Sequence, residues 1–170
     1  MSARHLGLIA AAAALALDQA TKLLILYGLG AVHLAPGRAI SVLPFFNLVM
    51  LWNPGISLGL FPANGPEQTV LLATFQFLAA CAFLWWLWFV QSRWLGVSLG
   101  LVIGGALGNL IDRLIYGAVA DFFHFYAFGY YFYVFNIADA AITFGILGWL
   151  YDALLNRQPT PGEIGKETNL

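Results

Sequence analysis

The chain has 170 residues, of which 9% are charged and 61% are hydrophobic. Soluble domains carry about 25% charged residues, so this composition excludes a soluble globular domain, a disordered chain and a basic nucleic-acid-binding protein. The sequence has a single cysteine, Cys81, which excludes an intramolecular disulfide and a multi-thiolate metal site. The remaining class is a helical membrane protein, provided that the apolar residues occur in runs of about 20.

Four runs of suitable length predict transmembrane spans at about 6–27, 69–90, 94–114 and 133–155. The fold expected from them is an all-α membrane protein with four transmembrane helices and a single membrane domain, 1–170. Residues 6–17 also fit the apolar part of a cleavable signal peptide. The apolar sequence resumes after Lys22, which favours a span. Gly100, Gly104 and Gly108 recur every four residues, which is typical of closely packed helices.

Two segments between the spans are unusual. Residues 28–68 are long for a loop and contain a run, 42–61, rich in Val, Leu, Phe and Trp with Pro and Gly breaks, which predicts a small extracytoplasmic β platform. Residues 122–135 include ten Phe or Tyr in fourteen positions. Such a segment suits the membrane–water interface, and we expect residues 121–135 to act as a lid. Residues 156–170 are predicted to be a cytoplasmic tail.

Basic residues indicate the orientation of the spans. Arg4, Arg93, Arg157 and Lys166 fall on one side, and Arg38 falls on the other. The positive-inside rule therefore predicts that both termini are cytoplasmic.

Polar residues interrupt the spans at one common depth. Counted from the cytoplasmic helix ends at about 1.5 Å per residue, they lie roughly 18 to 27 Å deep in a hydrocarbon core about 30 Å thick. Neighbours at helical i,i+3 and i,i+4 spacing share a face. We therefore expect one polar site near the outer surface, with contributions from Asp18, Lys22, Asn109, Asp112, Arg113, Asn136 and Asp139.

The acidic residues of this site outnumber the basic ones. Each basic residue has an acidic neighbour close in the sequence: Asp18 for Lys22, and Asp112 for Arg113. Asp121 and Asp139 are left without an evident basic partner. Two buried carboxylates in contact share a proton, since both cannot ionise cheaply. A protonated carboxyl group beside an ionised one can activate water to attack an amide.

Two other interpretations stay open at this point. A small proton-coupled membrane transporter also uses intramembrane acids, and it predicts polar groups across the whole membrane thickness. A non-catalytic scaffold uses polar side chains only to hold its helices together.

Five motifs give the sequence a family resemblance. They are Asp18-Gln19-Ala20-Thr21-Lys22, Asn53-Pro54-Gly55, the stretch from Gly104 through Asn109 to Asp112-Arg113, Gly117-Ala118-Val119-Ala120-Asp121-Phe122, and Phe135-Asn136-Ile137-Ala138-Asp139. Together, and in this order over all four spans, they resemble the motifs of the lipoprotein signal peptidases (signal peptidase II). The sequence departs from the family pattern after Gly55, where Ile56-Ser57-Leu58-Gly59 stands in place of a small-residue and Phe-containing stretch.

The resemblance implies an intramembrane aspartic endopeptidase. Such enzymes remove the signal peptide from diacylglyceryl-modified prolipoproteins by cleaving before the lipid-modified Cys. The resemblance implies Asp121 and Asp139 as the catalytic dyad. It also implies that substrate-binding or supporting roles fall on Asn53, Gly55, Asn109, Asp112, Arg113, Asn136, Asp18 and Lys22.

The same resemblance implies the setting of the reaction. It implies no metal and no cofactor, no nucleic-acid partner, and lipid-modified prolipoproteins and membrane lipid as partners. The expected form is a monomer in the bacterial cytoplasmic (inner) membrane, with the active site toward the extracytoplasmic face.

Overall fold

A computed structural model describes residues 1–31, 39–55, 65–127, 130–131 and 133–155. The predicted tail 156–170 and the departure at 56–59 lie outside these ranges. The helices are α1 (Ala3–Leu23), continued by one π-helical turn (Leu24–Gly28), α2 (Pro66–Leu87), α3 (Arg93–Tyr116) and α4 (Ile137–Leu155). The strands are β1 (Ala39–Leu43), β2 (Phe46–Asn53), β3 (Val119–Ala127) and β4 (Tyr130–Tyr131).

Within the described ranges, four helices are long and apolar enough to cross a membrane, as the sequence predicts. The last of them begins at Ile137 rather than at 133. The side-chain Oδ1 of Asn136 accepts the backbone N–H of Asp139 at 3.0 Å, which is the geometry of an N-cap. Phe135 pairs with Phe123 as an isolated β-bridge, so the chain is extended up to the start of the helix.

α3 is the central helix of the bundle, and 67% of its most apolar stretch is buried. Its small residues allow backbone-to-backbone contact with two neighbours, which confirms the predicted close packing. A side chain at Gly96, Gly100 or Gly104 would overlap the carbonyl groups of Ala3, Gly7 or Ala11 in α1. On the other side, Gly105 lies against the carbonyl of Ala138 in α4. In a bilayer, such close approach replaces the hydrophobic effect as the source of helix association.

Gly117 ends α3 and directs the chain into the sheet. It adopts a left-handed conformation with φ 75°, and its N–H bonds to the carbonyl of Arg113 at 3.0 Å. Glycine takes this conformation without steric cost. β3 begins two residues later at Val119, so the turn places Asp121 close to the end of the helix.

The four strands form one antiparallel sheet in the order β1-β2-β3-β4. β2 and β3 are paired so that Asn53 lies opposite Val119 and Leu51 lies opposite Asp121, with an irregularity between Leu48 and Leu51. The predicted platform therefore exists, but it includes part of the aromatic segment that the sequence treats separately. Aromatic side chains favour strands and pair across them, as Phe46 does with Phe125 at a centroid distance of 4.7 Å.

Substitution of Gly100 by Ala tests the packing of α1 on α3. The new Cβ would overlap the carbonyl of Gly7, so we expect a loss of about 1–3 kcal/mol in unfolding free energy, the usual cost of overpacking. Gly65→Ala is the matched control, because a Cβ there meets nothing within 4 Å and its φ of 175° suits any residue. Thermal unfolding in detergent measures both variants. Equal stability of the two would contradict the packing described.

Candidate active site

One connected polar network lies where the sheet meets the helix ends. Ten buried polar or charged side chains occur among the described residues, and nine of them belong to this network; the exception, Ser98, bonds to the carbonyl of Trp94. The network also includes the backbone of Gly55. We call this set the polar cluster: Asp18, Lys22, Asn53, Gly55, Asn109, Asp112, Arg113, Asp121, Asn136 and Asp139. All ten residues singled out from the sequence are thus brought together.

Lys22 lies at the centre of an ion cluster between α1 and α3. Its Nζ is 2.8 Å from Asp18 Oδ2 and 2.8 Å from Asp112 Oδ2, and all three side chains are at most 2% exposed. Gln19 Nε2 also donates to both carboxylates, at 3.1 and 3.3 Å. Buried charges persist only when they are paired and hydrogen-bonded, and this cluster meets both conditions.

The predicted pairing of Asp112 with Arg113 is wrong. Asp112 pairs with Lys22 instead, because adjacent residues on a helix point in different directions. Arg113 donates to Gln76 Oε1 at 2.8 Å, to the carbonyl of Asn109 at 3.4 Å and to the carbonyl of Gly55. Its charge acts more strongly on Asp139 and Asp121 than on Asp112. The two acids expected to lack a basic neighbour therefore lie in the field of Arg113.

Gln76 is a site residue that the sequence analysis did not single out. It lies on α2, binds Arg113 and borders the cavity described below. The only signal was its position as a lone amide in an otherwise apolar span. Arg113 Nε is buried and has no hydrogen-bond partner among the residues that the structure describes.

Asp121 and Asp139 come from different elements and meet around Asn136. Asp121 lies in β3, and Asp139 lies in the first turn of α4. Asn136 Nδ2 donates to Asp121 Oδ1 at 2.6 Å, and the Asn136 backbone N–H donates to Asp139 Oδ2 at 3.3 Å. Asn109 Nδ2 donates to Asp139 Oδ1 at 2.9 Å. The two acids thus share Asn136 as a hydrogen-bond partner.

The environment of Asp121 favours its protonated form. Burial, followed by the charge of Asp139, raises the pKa of Asp121 to about 7; hydrogen bonds from Asn53 and Asn136 and the charge of Lys22 oppose this rise. Ala120 and Phe122 on either side of it are fully buried, which accounts for the loss of water. A carboxyl group with this pKa can both give and take a proton at neutral pH.

A turn holds the Asn53 side chain on Asp121. Asn53 Oδ1 accepts the backbone N–H of Gly55 at 3.0 Å, which is the pattern of an Asx turn. Asn53 Nδ2 is then free to donate to Asp121 Oδ2, at 3.0 Å. The turn of the Asn-Pro-Gly motif thus orients the Asn53 side-chain amide so that its NH₂ group faces Asp121.

A cavity of about 380 Å³ opens beside this network between α2, α3 and α4. Asn53, Gln76, Asn109, Arg113 and Asp139 supply its polar groups. The rest is largely apolar, and its lining includes Phe75, Phe83, Ile142, Ile146 and Trp149. Within the described ranges, no three His, Cys, Asp or Glu side chains group as metal ligands would. Asp139 borders this cavity directly, and Asp121 is connected to it through Asn53. An apolar space of this kind suits an apolar chain.

Comparisons with known proteins agree with one another. A family model described as signal peptidase (SPase) II matches residues 10–155. A lipoprotein signal peptidase from Rhodopseudomonas palustris (strain TIE-1) is 47% identical over 159 residues, covering 91% of this chain and 95% of its own length. One from Methylorubrum extorquens (strain PA1) is 45% identical over 161 residues, covering 95% of this chain and 91% of its own length.

Solved structures show the same architecture. A bacterial membrane enzyme determined by the in meso method at 1.9 Å resolution is 29% identical, with a TM-score of 0.70 over 89% of this chain and 94% of its own. A second such enzyme, at 2.3 Å resolution, is 26% identical, with a TM-score of 0.68 over 91% and 92% of the two chains. The chain therefore belongs to the signal peptidase II family of membrane peptidases, which remove signal peptides from prolipoproteins.

Proposed function

We propose that this protein is an intramembrane aspartic endopeptidase that cleaves diacylglyceryl-modified prolipoproteins immediately before the lipid-modified Cys. The observation that carries the proposal is the meeting of Asp121 and Asp139 around Asn136 beside an apolar cavity. Two neighbouring carboxyl groups that share one proton can act as acid and base in the hydrolysis of an amide. Every group needed comes from one chain, which supports a monomer as the active form.

The reaction begins with one proton shared by the dyad. The ionised carboxylate takes a proton from water, and the resulting hydroxide attacks the scissile carbonyl carbon. The protonated carboxyl donates its hydrogen bond to the carbonyl oxygen, where negative charge develops. Collapse of the tetrahedral intermediate breaks the C–N bond, and the leaving nitrogen takes a proton from the dyad. The proton belongs to the pair rather than to one residue.

Amide groups around the dyad keep it oriented for this chemistry. Asn53 and Asn136 bind the two oxygens of Asp121, and Asn109 binds Asp139. Arg113 brings positive charge to the polar end of the cavity. We assign Asn53, Gly55, Asn109, Arg113 and Asn136 to substrate binding or dyad orientation on these contacts.

The apolar part of the cavity suits the hydrophobic segment of a signal peptide. Its walls are the facing sides of α2, α3 and α4, and they carry few polar atoms. Lipid chains of the substrate then stay in the bilayer while the peptide bond reaches the dyad. The lid expected at 121–135 belongs to the same proposal; it includes most of the aromatic strand β3, where Phe125 is exposed.

The orientation expected from the sequence fits this arrangement. The dyad and the sheet lie at the end of the bundle opposite to Arg4 and Arg93, which lie together beside Trp88. The positive-inside rule then places both termini in the cytoplasm and the active site toward the extracytoplasmic face.

The transporter alternative finds less support. It requires polar groups across the membrane, whereas the buried polar side chains of the described helices gather at one end, apart from Ser98. This distribution favours peptide cleavage over transport.

Isosteric replacement of the dyad gives the primary test. Asp121→Asn and Asp139→Asn should each lower the kcat for a lipid-modified prolipoprotein by about 10³-fold or more, because an amide cannot exchange the proton. Asp152→Asn is the matched control: this residue bonds to Ser92 and does not contact the polar cluster. Normal cleavage by either dyad variant, at wild-type protein levels in the membrane, would disprove the assignment.

The pH dependence of kcat/KM gives a second test. Because the pKa of Asp121 is raised to about 7, activity should decline as the pH rises through that value and the pair loses its shared proton. Asn53→Ala removes a hydrogen bond that lowers the pKa of Asp121. The alkaline limb of the profile should then move to higher pH. A shift to lower pH, or no alkaline limb in the wild type, would contradict the account.

The lipid requirement gives a third test. A prolipoprotein whose Cys carries a thioether-linked diacylglycerol should be cleaved, and the same precursor without the lipid should not be cleaved. Mass spectrometry of the product identifies the new N-terminus. Equal cleavage of both precursors would leave the peptidase activity in place and remove the proposed specificity.

A further inference from the structure

A buried lysine that the mechanism does not use connects both halves of the dyad. Lys22 Nζ has three donors, and the structure shows three acceptors: Asp18 Oδ2 at 2.8 Å, Asp112 Oδ2 at 2.8 Å and Asn109 Oδ1 at 3.1 Å. The side chain is 2% exposed. Its hydrogen-bonding capacity is therefore fully occupied by the protein.

Each of the two carboxylates bound by Lys22 also accepts a hydrogen bond from the backbone N–H of the residue directly before one of the dyad residues. Asp112 Oδ2 accepts the N–H of Ala120 at 3.0 Å, directly before Asp121. Asp18 Oδ1 accepts the N–H of Ala138 at 2.9 Å, directly before Asp139. The two connections are equivalent, although one leads to a strand and the other to the start of a helix.

The third contact of Lys22 fixes the orientation of an amide. Asn109 Oδ1 accepts from Lys22 and from Asn136 Nδ2, at 3.1 and 3.2 Å. With its oxygen held there, Asn109 presents Nδ2 to Asp139 Oδ1. The reverse orientation would place two donors against Lys22 and Asn136, so it is excluded by unfavourable contacts.

We propose that Lys22 is a positioning residue that sets the relative placement of Asp121 and Asp139 through Asp112, Asp18 and Asn109, without contacting the substrate. This inference rests on the proposed aspartic mechanism. Such a mechanism is sensitive to the separation of the two carboxyl groups, since misplacement by about 1 Å can cost 10²-fold in rate. Because the one Lys22 ammonium group binds both Asp18 and Asp112, it couples the position of Asp139 to that of Asp121.

The role predicts a specific kinetic effect. Lys22→Met keeps an unbranched side chain that is one atom shorter, and it removes all three donors. We expect the kcat to decrease about 100-fold or more while KM changes by less than about threefold, because the cavity walls are unchanged. The measurement uses full-length protein in detergent, with a lipid-modified prolipoprotein as substrate and the folded fraction determined for each preparation.

A control separates positioning from stability. Gln19→Leu removes hydrogen bonds to the same two carboxylates, Asp18 and Asp112, and leaves both peptide N–H contacts in place. It should lower the melting temperature and keep kcat within about threefold of wild type. Equal loss of kcat in Lys22→Met and Gln19→Leu would show a purely structural role and would overturn the proposal.

A second variant covers the case in which Lys22→Met does not fold. Lys22→Met combined with Asp18→Asn retains the single net negative charge of the ion cluster and avoids a second buried acid without a counter-ion. It should fold and still show the low kcat. Wild-type kcat in this double variant, with Asp121→Asn and Asp139→Asn inactive, would overturn the positioning role alone. Activity in the dyad variants would instead overturn the proposed function.

Discussion

Charge burial is the constraint on which the rest of this structure depends. A single Asp, Lys or Arg at the centre of a transmembrane helix costs about 2.5–3.5 kcal/mol on insertion scales. Here Lys22, Asp18 and Asp112 are almost fully buried together, and each finds a charged partner within 2.8 Å. The helices that carry them must approach closely for this to occur. The Asp18 carboxylate occupies the space that a side chain at Gly108 would fill. The glycines of α3 are therefore needed for the ion cluster to form between α1 and α3.

The ion cluster explains how the proposed catalytic pair is held in place next to lipid. Asp121 lies in a strand and Asp139 begins a helix, and neither element alone fixes their mutual position. Backbone N–H groups beside both residues are bound by the charged side chains of α1 and α3. Burial, followed by the charge of Asp139, raises the pKa of Asp121 to about 7. Exclusion of water, close helix packing and the proposed acid–base chemistry thus depend on one another.

Much of this was accessible from the sequence, for physical reasons that differ between elements. The spans were predicted because four apolar runs are long enough to cross a bilayer. The gathering of polar residues was predicted because the rise per residue of a helix places Asp18, Asn109 and Asp139 at similar depths. Pairing was not: Asp112 adjoins Arg113 in the sequence but binds Lys22 on another helix. The joining of β3 to β2, and the role of Gln76, also depend on contacts between distant parts of the chain.

The central claim is that the two carboxyl groups hold one proton between them at neutral pH. Infrared difference spectroscopy of the purified protein as a function of pH measures it directly, through the carbonyl stretch of a protonated carboxyl group. The account predicts a protonated band that titrates at about pH 7, is absent in Asp121→Asn, and moves to lower pH in Asp139→Asn, where a neighbouring negative charge is removed. A dyad that is fully ionised on the acid side of pH 7 would contradict it.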